Sequence, residues 1–468
     1  MRRPNILLLY TDQQRWDALG ANGNAEILTP NLDRLAAQGA NFSRYFVQNP
    51  VCMPSRVSFL SGQYPSTLGI THMGVPVPED LPTLPRLLGP YGYHCANIGK
   101  LHFLPHANRD HRVPHPAYGF DHLEIADEPG VYEDAYRAWA RRKDPAQLDH
   151  LSVGLPPATA QWHKLMGFKD GVRHPGEGGR FDFKGAVPFP GDDGFTHSAF
   201  VGEQTIEYLK GRRAGAPFLC IAGFYSPHAP WVVPQKYLDL YDPDSFSLPE
   251  FPPEIEEKRR QGEITDGQLR SARHGYYAMV TEVDDWVGRI LDCLEEEGLA
   301  DNTLVLFTSD HGEWLGEHLR YGKGMPGPDC VSRVPFLARG PGIKRGTRCD
   351  EIVEAVDAVP TLLELCGIQP PPHLQGDSLA GALAGGEAPG DGVALLEHSG
   401  AKTLRSDGYR YRVGADGSES LWDLQKDPGE YCDVAGEAEY AGALAEHRRL
   451  LLGRLLAMER PRPRVWSY

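Results

Sequence analysis

The sequence predicts an α/β fold, and three observations carry that prediction. Short apolar runs recur from residue 5 to about residue 340 and alternate with stretches whose apolar residues keep helical spacing. Four of those runs pass directly into charged or metal-competent residues, the arrangement expected where strands of an open sheet deliver groups to one edge. The composition, 41% hydrophobic and 24% charged over 468 residues, is enough to bury a large core, and the length allows two to three domains.

The elements follow in chain order. "NILLLY" (5–10) is read as a strand. "TPNLDRLAAQGANF" (29–42) is read as a helix with Thr29 or Asn31 as cap, Leu32 and Leu35 on one face, and Gly39 as its stop. In "NPVCMPSRVSFLSGQYP" (49–65), Pro54 suits a first helical turn and Gly62 ends the helix. "LPTLPRLLGPYGYHCANIG" (81–99) gives a helix, a Gly-rich stop and a strand. Residues 104–197 mix Gly, Pro, His and charge with weak periodicity and are read as long loops covering one face. "FLCIAGFY" (218–225) and "TLVLFTS" (303–309) are strands, and "SARHGYYAMVTEVDDWVGRILDCLEEEG" (271–298) is the clearest long helix. Pro and Gly cluster over 366–392, which places a boundary between residues 1–370 and a smaller unit of residues 371–468. There "VALLEHS", "KTLRSDGYRYRV" and "ESLWDLQKDPGE" read as antiparallel strands with Asp-Gly turns at 407–408 and 416–417, followed by a polar helix from about 436 to 458.

Charge excludes some partners. With 47 Lys and Arg against 63 Asp and Glu, the net charge of −16 argues against general binding to nucleic acid or anionic membrane. An anionic substrate would need a local basic pocket working against that field. No apolar stretch is long enough to span a bilayer, and "NILLLY" begins too early to leave room for a signal peptide. The eight cysteines (52, 95, 220, 293, 330, 349, 366 and 432) are scattered without a C-x-x-C pair, which fits reduced thiols and a cytoplasmic protein.

The chemistry lies where the strands end. "NILLLY" runs into Thr11-Asp12-Gln13, "YHCANIG" into Lys100-Leu101-His102, "FLCIAGFY" into Ser226-Pro227-His228, and "TLVLFTS" into Asp310-His311. Singly, Asp12 or Asp310 reads as a cap or turn residue and Lys100 as a solvated charge. Jointly, Asp12, Gln13, Asp310 and His311 offer oxygens and one imidazole for a divalent ion such as Mg²⁺, Mn²⁺ or Ca²⁺. Lys100, His102, His228 and Lys323 add cations and proton donors, which together describe a site for a tetrahedral oxyanion ester. Cys52 stands at a helix start, where free N–H groups favour an anion, and Arg56 follows one turn on.

Cys52-Met53-Pro54-Ser55-Arg56 followed by "VSFLSGQYP" resembles the C-x-P-S-R signature of the type I sulfatases. "PNILLLYTDQQR", "IGKLHF", "YSPHAPW", "TSDHGEWLGEH" and "SLWDLQKDPGE" extend the resemblance over nearly the whole chain, in matching order and spacing. It implies an alkaline-phosphatase-like fold: a mostly parallel central sheet flanked by helices, with a smaller C-terminal α+β domain built on an antiparallel sheet. It also implies that Cys52 is oxidised to formylglycine by a formylglycine-generating enzyme. One hydroxyl of the hydrated aldehyde would attack sulfur and the other would expel sulfate.

By the same resemblance, Asp12, Gln13, Asp310, His311 and residue 52 surround one metal ion. Arg56 steadies the formylglycine, and Lys100 and Lys323 grip the sulfate. His102 assists release, and His228 serves with Lys323 on the leaving-group side. The Asp-Gln and Asp-His pairs are similar to those of the choline sulfatase and phosphonate monoester hydrolase branches. They carry one negative ligand fewer than many relatives, which weighs toward Mn²⁺ or Mg²⁺ over Ca²⁺. The retained Lys100 and His102 favour a sulfate monoester, with a phosphonate monoester or phosphodiester as the alternative. His106, His111, His115, Trp231, Arg320 and Tyr321 are candidates to line the leaving-group pocket. The sequence is compatible with a homo-oligomer.

Overall fold

The four strands that end in chemistry lie side by side. The computed structural model describes residues 3–104, 114–130, 133–151, 153, 185–212 and 215–459. Its main sheet contains β1 (Asn5–Thr11), β2 (Ala40–Phe46), β3 (His94–Gly99), β4 (His122–Ile125), β6 (Phe218–Gly223), β8 (Thr303–Ser309), β9 (Arg333–Arg339), β10 (Thr347–Cys349) and β11 (Val353–Glu354). The strand order is β10-β2-β9-β8-β1-β6-β3-β4, with β11 also on β2. β8, β1, β6, β3 and β4 are mutually parallel, while β9 is antiparallel to both its neighbours. The sheet is therefore mixed, with a parallel block at the functional end. A separate pair, β5 (Val187–Pro188) and β7 (Val232–Val233), lies outside it.

Each of β1, β6 and β8 is buried along its whole length, as parallel strands covered on both faces must be. One apolar cluster includes Ile6, Leu8, Phe59 and Leu362; the other gathers Leu7, Leu9, Val201, Val287 and Ile290. Alternate residues of β1 thus serve opposite faces of the sheet. The long helix Asp266–Glu296 and the helix His197–Gly211 belong to the second layer. The long helix begins earlier than its periodicity suggests, because Thr265 and Gln268 close a reciprocal cap at its start.

The smaller sheet is antiparallel: β12 (Ala394–His398), β13 (Ala401–Arg405), β14 (Tyr409–Gly414) and β15 (Glu419–Asp423), in that order. The predicted Asp-Gly turns fall in the connections after β13 and β14, and the helix Ala441–Ala457 packs on this sheet through Leu444 and Leu451.

Two sequence readings need correction. Residues 104–197 are not loop throughout: their described part holds β4 and the helix Ala135–Lys143. The first helix, Pro30–Gln38, does have Thr29 at its N-cap position, one of the two residues read as its cap, but the Thr29 side chain accepts no hydrogen bond from the first turn. Asp284, on the long helix, accepts instead from Asn31 N at 3.1 Å and Leu32 N at 2.7 Å. A cap supplied by a residue 252 positions away has no local signature.

Register brings the strand ends together. Thr11 pairs with Ser309, Tyr10 with Gly223, and Gly223 with Gly99, so the residues that follow leave from one edge. The Gly99–Gly223 pairing has to be side-chain-free. Gly99 has φ 91°, and a Cβ there would meet Gly223 O at 2.2 Å; one on Gly223 would meet Lys100 O at 2.2 Å. Gly99→Ala should therefore lower stability by about 2 kcal/mol or more, read as a fall of several degrees in melting temperature with reduced activity. An unchanged melting curve would refute this account of the strand ends.

Candidate active site

The helix Cys52–Ser61 is buried at all ten positions and starts at Cys52. Val51 supplies the extended residue before it, and Gly62, at φ 64°, ends it with a bond from its N–H to Ser58 O. Ser55 Oγ donates to Asp310 O at 2.5 Å, tying this helix to the end of β8. Cys52 Sγ is thereby placed among the strand-end groups. Lys323 Nζ lies 2.7 Å away, His311 Nε2 3.2 Å and Asp12 Oδ1 3.8 Å.

Charges interlock around it. Arg56 Nε donates to Asp310 Oδ2 at 2.7 Å, and its guanidinium sits 3.7 Å from Asp12 Oδ2 and 4.6 Å from the Tyr10 ring centre. Lys100 Nζ approaches Asp12 Oδ2 at 2.5 Å and lies over the Tyr225 ring. Burial opposes the ionisation of Asp12, but Lys100, Lys323 and Arg56 hold its carboxyl well below the usual range. Burial likewise disfavours a charged Lys323, and the neighbouring negative charge, that of Asp12 while Cys52 is a neutral thiol, outweighs it, so its ammonium is held more firmly than usual. The basic pocket demanded by an anionic substrate in an acidic protein is thus present.

The two imidazoles are neutral and oriented. His228 Nδ1 donates to Ala229 O at 2.6 Å, which leaves Nε2 to accept from Lys323 Nζ at 2.8 Å. Burial and then Lys323 push its pKa down to about 3. His311 Nδ1 donates to Gly312 O at 2.8 Å, leaving an Nε2 lone pair 3.6 Å from both Asp12 Oδ1 and Asp310 Oδ1. Burial pushes the Cys52 thiol up to about 12, with Asp12 adding to it. As a thiol it is protonated and a poor nucleophile.

Of the residues singled out in the sequence, Asp12, Cys52, Arg56, Lys100, His228, Asp310, His311 and Lys323 form one network of direct contacts. Gln13 joins by its backbone N–H, which donates to Asp310 Oδ1 at 3.0 Å. His102 is buried in the turn after Lys100, and its backbone N–H donates to Asp127 Oδ1 at 2.8 Å. His106 and His111 lie outside the described residues. Trp231 is buried with its indole N–H on Pro227 O, so it is core rather than pocket wall, and the Tyr321 ring packs 5.9 Å from it. Arg320 lies over the Trp314 ring, and His115 is bonded to Pro116 O.

Sequence reading missed a fifth strand end. β4 runs through Ala126 into Asp127 and Glu128, both buried. Asp127 Oδ1 accepts from Leu101 N at 2.9 Å as well as from His102 N, and Glu128 Oε1 lies 4.0 Å from Lys100 Nζ. The signal was there: "HLEI" followed by two acids repeats the strand-then-charge pattern, but in a four-residue edge strand. Glu313, also missed, sits in "TSDHGE" three residues past Asp310.

A family model described as Sulfatase matches residues 4–368. The chain belongs to the sulfatase family. It is a sulfuric ester hydrolase, and its relatives span its length. An arylsulfatase of Clostridium perfringens is 29% identical over 98% of this chain and 95% of its own. A choline-sulfatase of Rhizobium meliloti is 28% identical over 92% of this chain and 82% of its own. Among solved structures, the phosphonate monoester hydrolase of Agrobacterium radiobacter superposes with a TM-score of 0.81 at 26% identity, covering 98% of this sulfatase and 96% of that chain. Asp127→Ala should lower kcat on an aryl sulfate at least about tenfold by releasing two N–H groups beside Lys100, with Asp127→Asn keeping most of the rate. Equal rates for Asp127→Ala and the parent would remove Asp127 from the site.

Proposed function

We propose that this sulfatase hydrolyses a sulfate monoester of an aryl or small alkyl group. Its nucleophile is the side chain of residue 52 after oxidation of Cys52 to formylglycine, beside one divalent metal ion. One observation carries the reading: Lys323, His311 and Asp12 converge within 3.8 Å of the Cys52 sulfur at the first turn of a buried helix.

The donor set fits a divalent ion. Asp12, Cys52, Asp310 and His311 offer ligand atoms within 4.8 Å of one another. Gln13 Oε1 is buried and accepts no hydrogen bond among the described residues. Hard oxygens with one imidazole nitrogen and only two carboxylates suit Mn²⁺ or Mg²⁺ better than Ca²⁺. Such an ion supplies Lewis-acid polarisation of an ester oxygen and helps offset its charge.

The remaining work falls to side chains. Lys100 and Lys323 hold the sulfate oxygens and offset charge that grows in the transition state. Arg56, fixed by Asp310, steadies residue 52. His228 is neutral and has its Nδ1 proton committed to Ala229 O, so the proton nearest the leaving oxygen is on Lys323 Nζ, which His228 Nε2 orients. His102 takes the proton lost as sulfate leaves. Burial of the cluster keeps bulk water from competing for these charges.

The same proposal assigns catalysis to residues 1–370 and the antiparallel sheet to a smaller unit, residues 371–468. It also includes maturation by a formylglycine-generating enzyme and a cytoplasmic location, supported by eight unpaired thiols. No described helix is long and apolar enough to cross a membrane. The likeness to a phosphonate monoester hydrolase supports a second reading, in which the same nucleophile attacks phosphorus.

Mass measurement of the peptide spanning residues 45–56, from protein made in a maturing host, should show an aldehyde at position 52. Cys52→Ala should fold and lose turnover. A thiol in active protein, or turnover by Cys52→Ala near the parent rate, would sink the mechanism. Measured in parallel, kcat/KM for an aryl sulfate should exceed that for an aryl phosphonate monoester by about tenfold or more; the reverse ratio would establish the second reading.

A further inference from the structure

Glu313 is fully buried, yet the chemistry above gives it no task. Three N–H groups converge on its carboxylate. Gln13 Nε2 makes a close contact with one oxygen; Gly322 N makes a close contact with the other, which also accepts from Leu315 N at 3.1 Å. Two of these donors belong to neighbours of site residues: Gln13 follows Asp12, and Gly322 precedes Lys323.

A carboxylate accepts hydrogen bonds and donates none, so it decides which end of the Gln13 amide faces it. The NH₂ end does. Gln13 Oε1 then faces elsewhere, buried and without a hydrogen-bond partner among the described residues. The Gln13 backbone is already committed. Its φ is 70°, its N–H donates to Asp310 Oδ1, and its carbonyl accepts from Tyr276 OH at 2.7 Å. Rotation of the side-chain amide is the freedom left, and Glu313 removes it.

We propose that Glu313 is a positioning residue that holds the Gln13 amide oxygen toward the divalent ion and, through Gly322, sets Lys323 against residue 52. One carboxylate thus aligns the metal side and the anion side of the site. The inference rests on the metal reading above and adds to it the means by which a neutral amide becomes a dependable ligand. Outer partners of this kind are general requirements of metal sites.

The test is Mn²⁺ titration, by calorimetry and electron paramagnetic resonance at about pH 8, into full-length protein stripped with chelator. The parent should bind one Mn²⁺. Glu313→Gln presents an NH₂ to Gln13 and reverses its amide, so affinity should fall about 10- to 100-fold and KM for an aryl sulfate should rise. In a Gln13→Ala background the same substitution should change affinity little, because the two act as a unit. The exchanged pair, Gln13→Glu with Glu313→Gln, restores donor against acceptor and should recover most of the loss, which a packing role alone would not.

Unchanged Mn²⁺ affinity in Glu313→Gln overturns the proposal and leaves the metal site standing. That is also the result if Glu313 is protonated and donates to a reversed amide, since the substitution would mimic it. An equal loss in the Gln13→Ala background overturns it as well. Absence of Mn²⁺ binding by the parent overturns both the proposal and the metal reading. If Glu313→Gln does not fold, Gln13→Glu alone decides: two facing carboxylates should weaken Mn²⁺ binding despite the added negative charge, and tighter binding overturns the proposal.

Discussion

The contact on which the site depends is the fully buried pairing of Asp12 with Lys100, backed by Arg56 on Asp310. Moving such ions out of water costs several kcal/mol each even after relaxation. Their attraction offsets that cost only if the partners are held at short range without further entropy loss. The fold meets the condition by hanging them on backbone that is already fixed. Asp12, Lys100 and Asp310 are each the first residue past a buried parallel strand, and register sets their separation before any side chain moves. A slip in that register would leave buried charges unpaired, so strand pairing and site electrostatics are one constraint.

That coupling explains what can be read from the sequence. Buried parallel strands show as unbroken apolar runs, and a charge straight after such a run stands out. Asp12, Lys100 and Asp310 are therefore legible, as are Cys52 and Arg56 through their helix start. β4 is not, because a four-residue edge strand with a half-buried face carries His and Glu among its apolar residues. Asp284 as a cap and Glu313 as a partner of Gln13 are invisible for another reason. They act across 252 and 300 residues of chain, and only the fold brings them to their targets. Trp231 misleads because proximity in sequence to His228 says nothing about which way a ring turns.

The pocket also explains how an acidic protein can attract an anion. The net charge of −16 is a sum over the whole chain, whereas Lys100, Arg56 and Lys323 act at short range in a medium that screens poorly. The same surroundings keep the unmodified Cys52 thiol protonated. Burial and Asp12 leave that sulfur inert despite the cations beside it; on the proposed function the cations serve an oxygen nucleophile and its anionic target.

Cys52 is 1% exposed, enclosed in a helix with no solvent-facing position. A maturing enzyme of the kind proposed above could not reach this thiol once the interior has closed. On the proposed oxidation of Cys52, maturation would be a race against folding, to be won while residues 52–56 are still an accessible peptide. A chain that folds first would be well packed and permanently idle, so the fraction of working molecules would be fixed during synthesis.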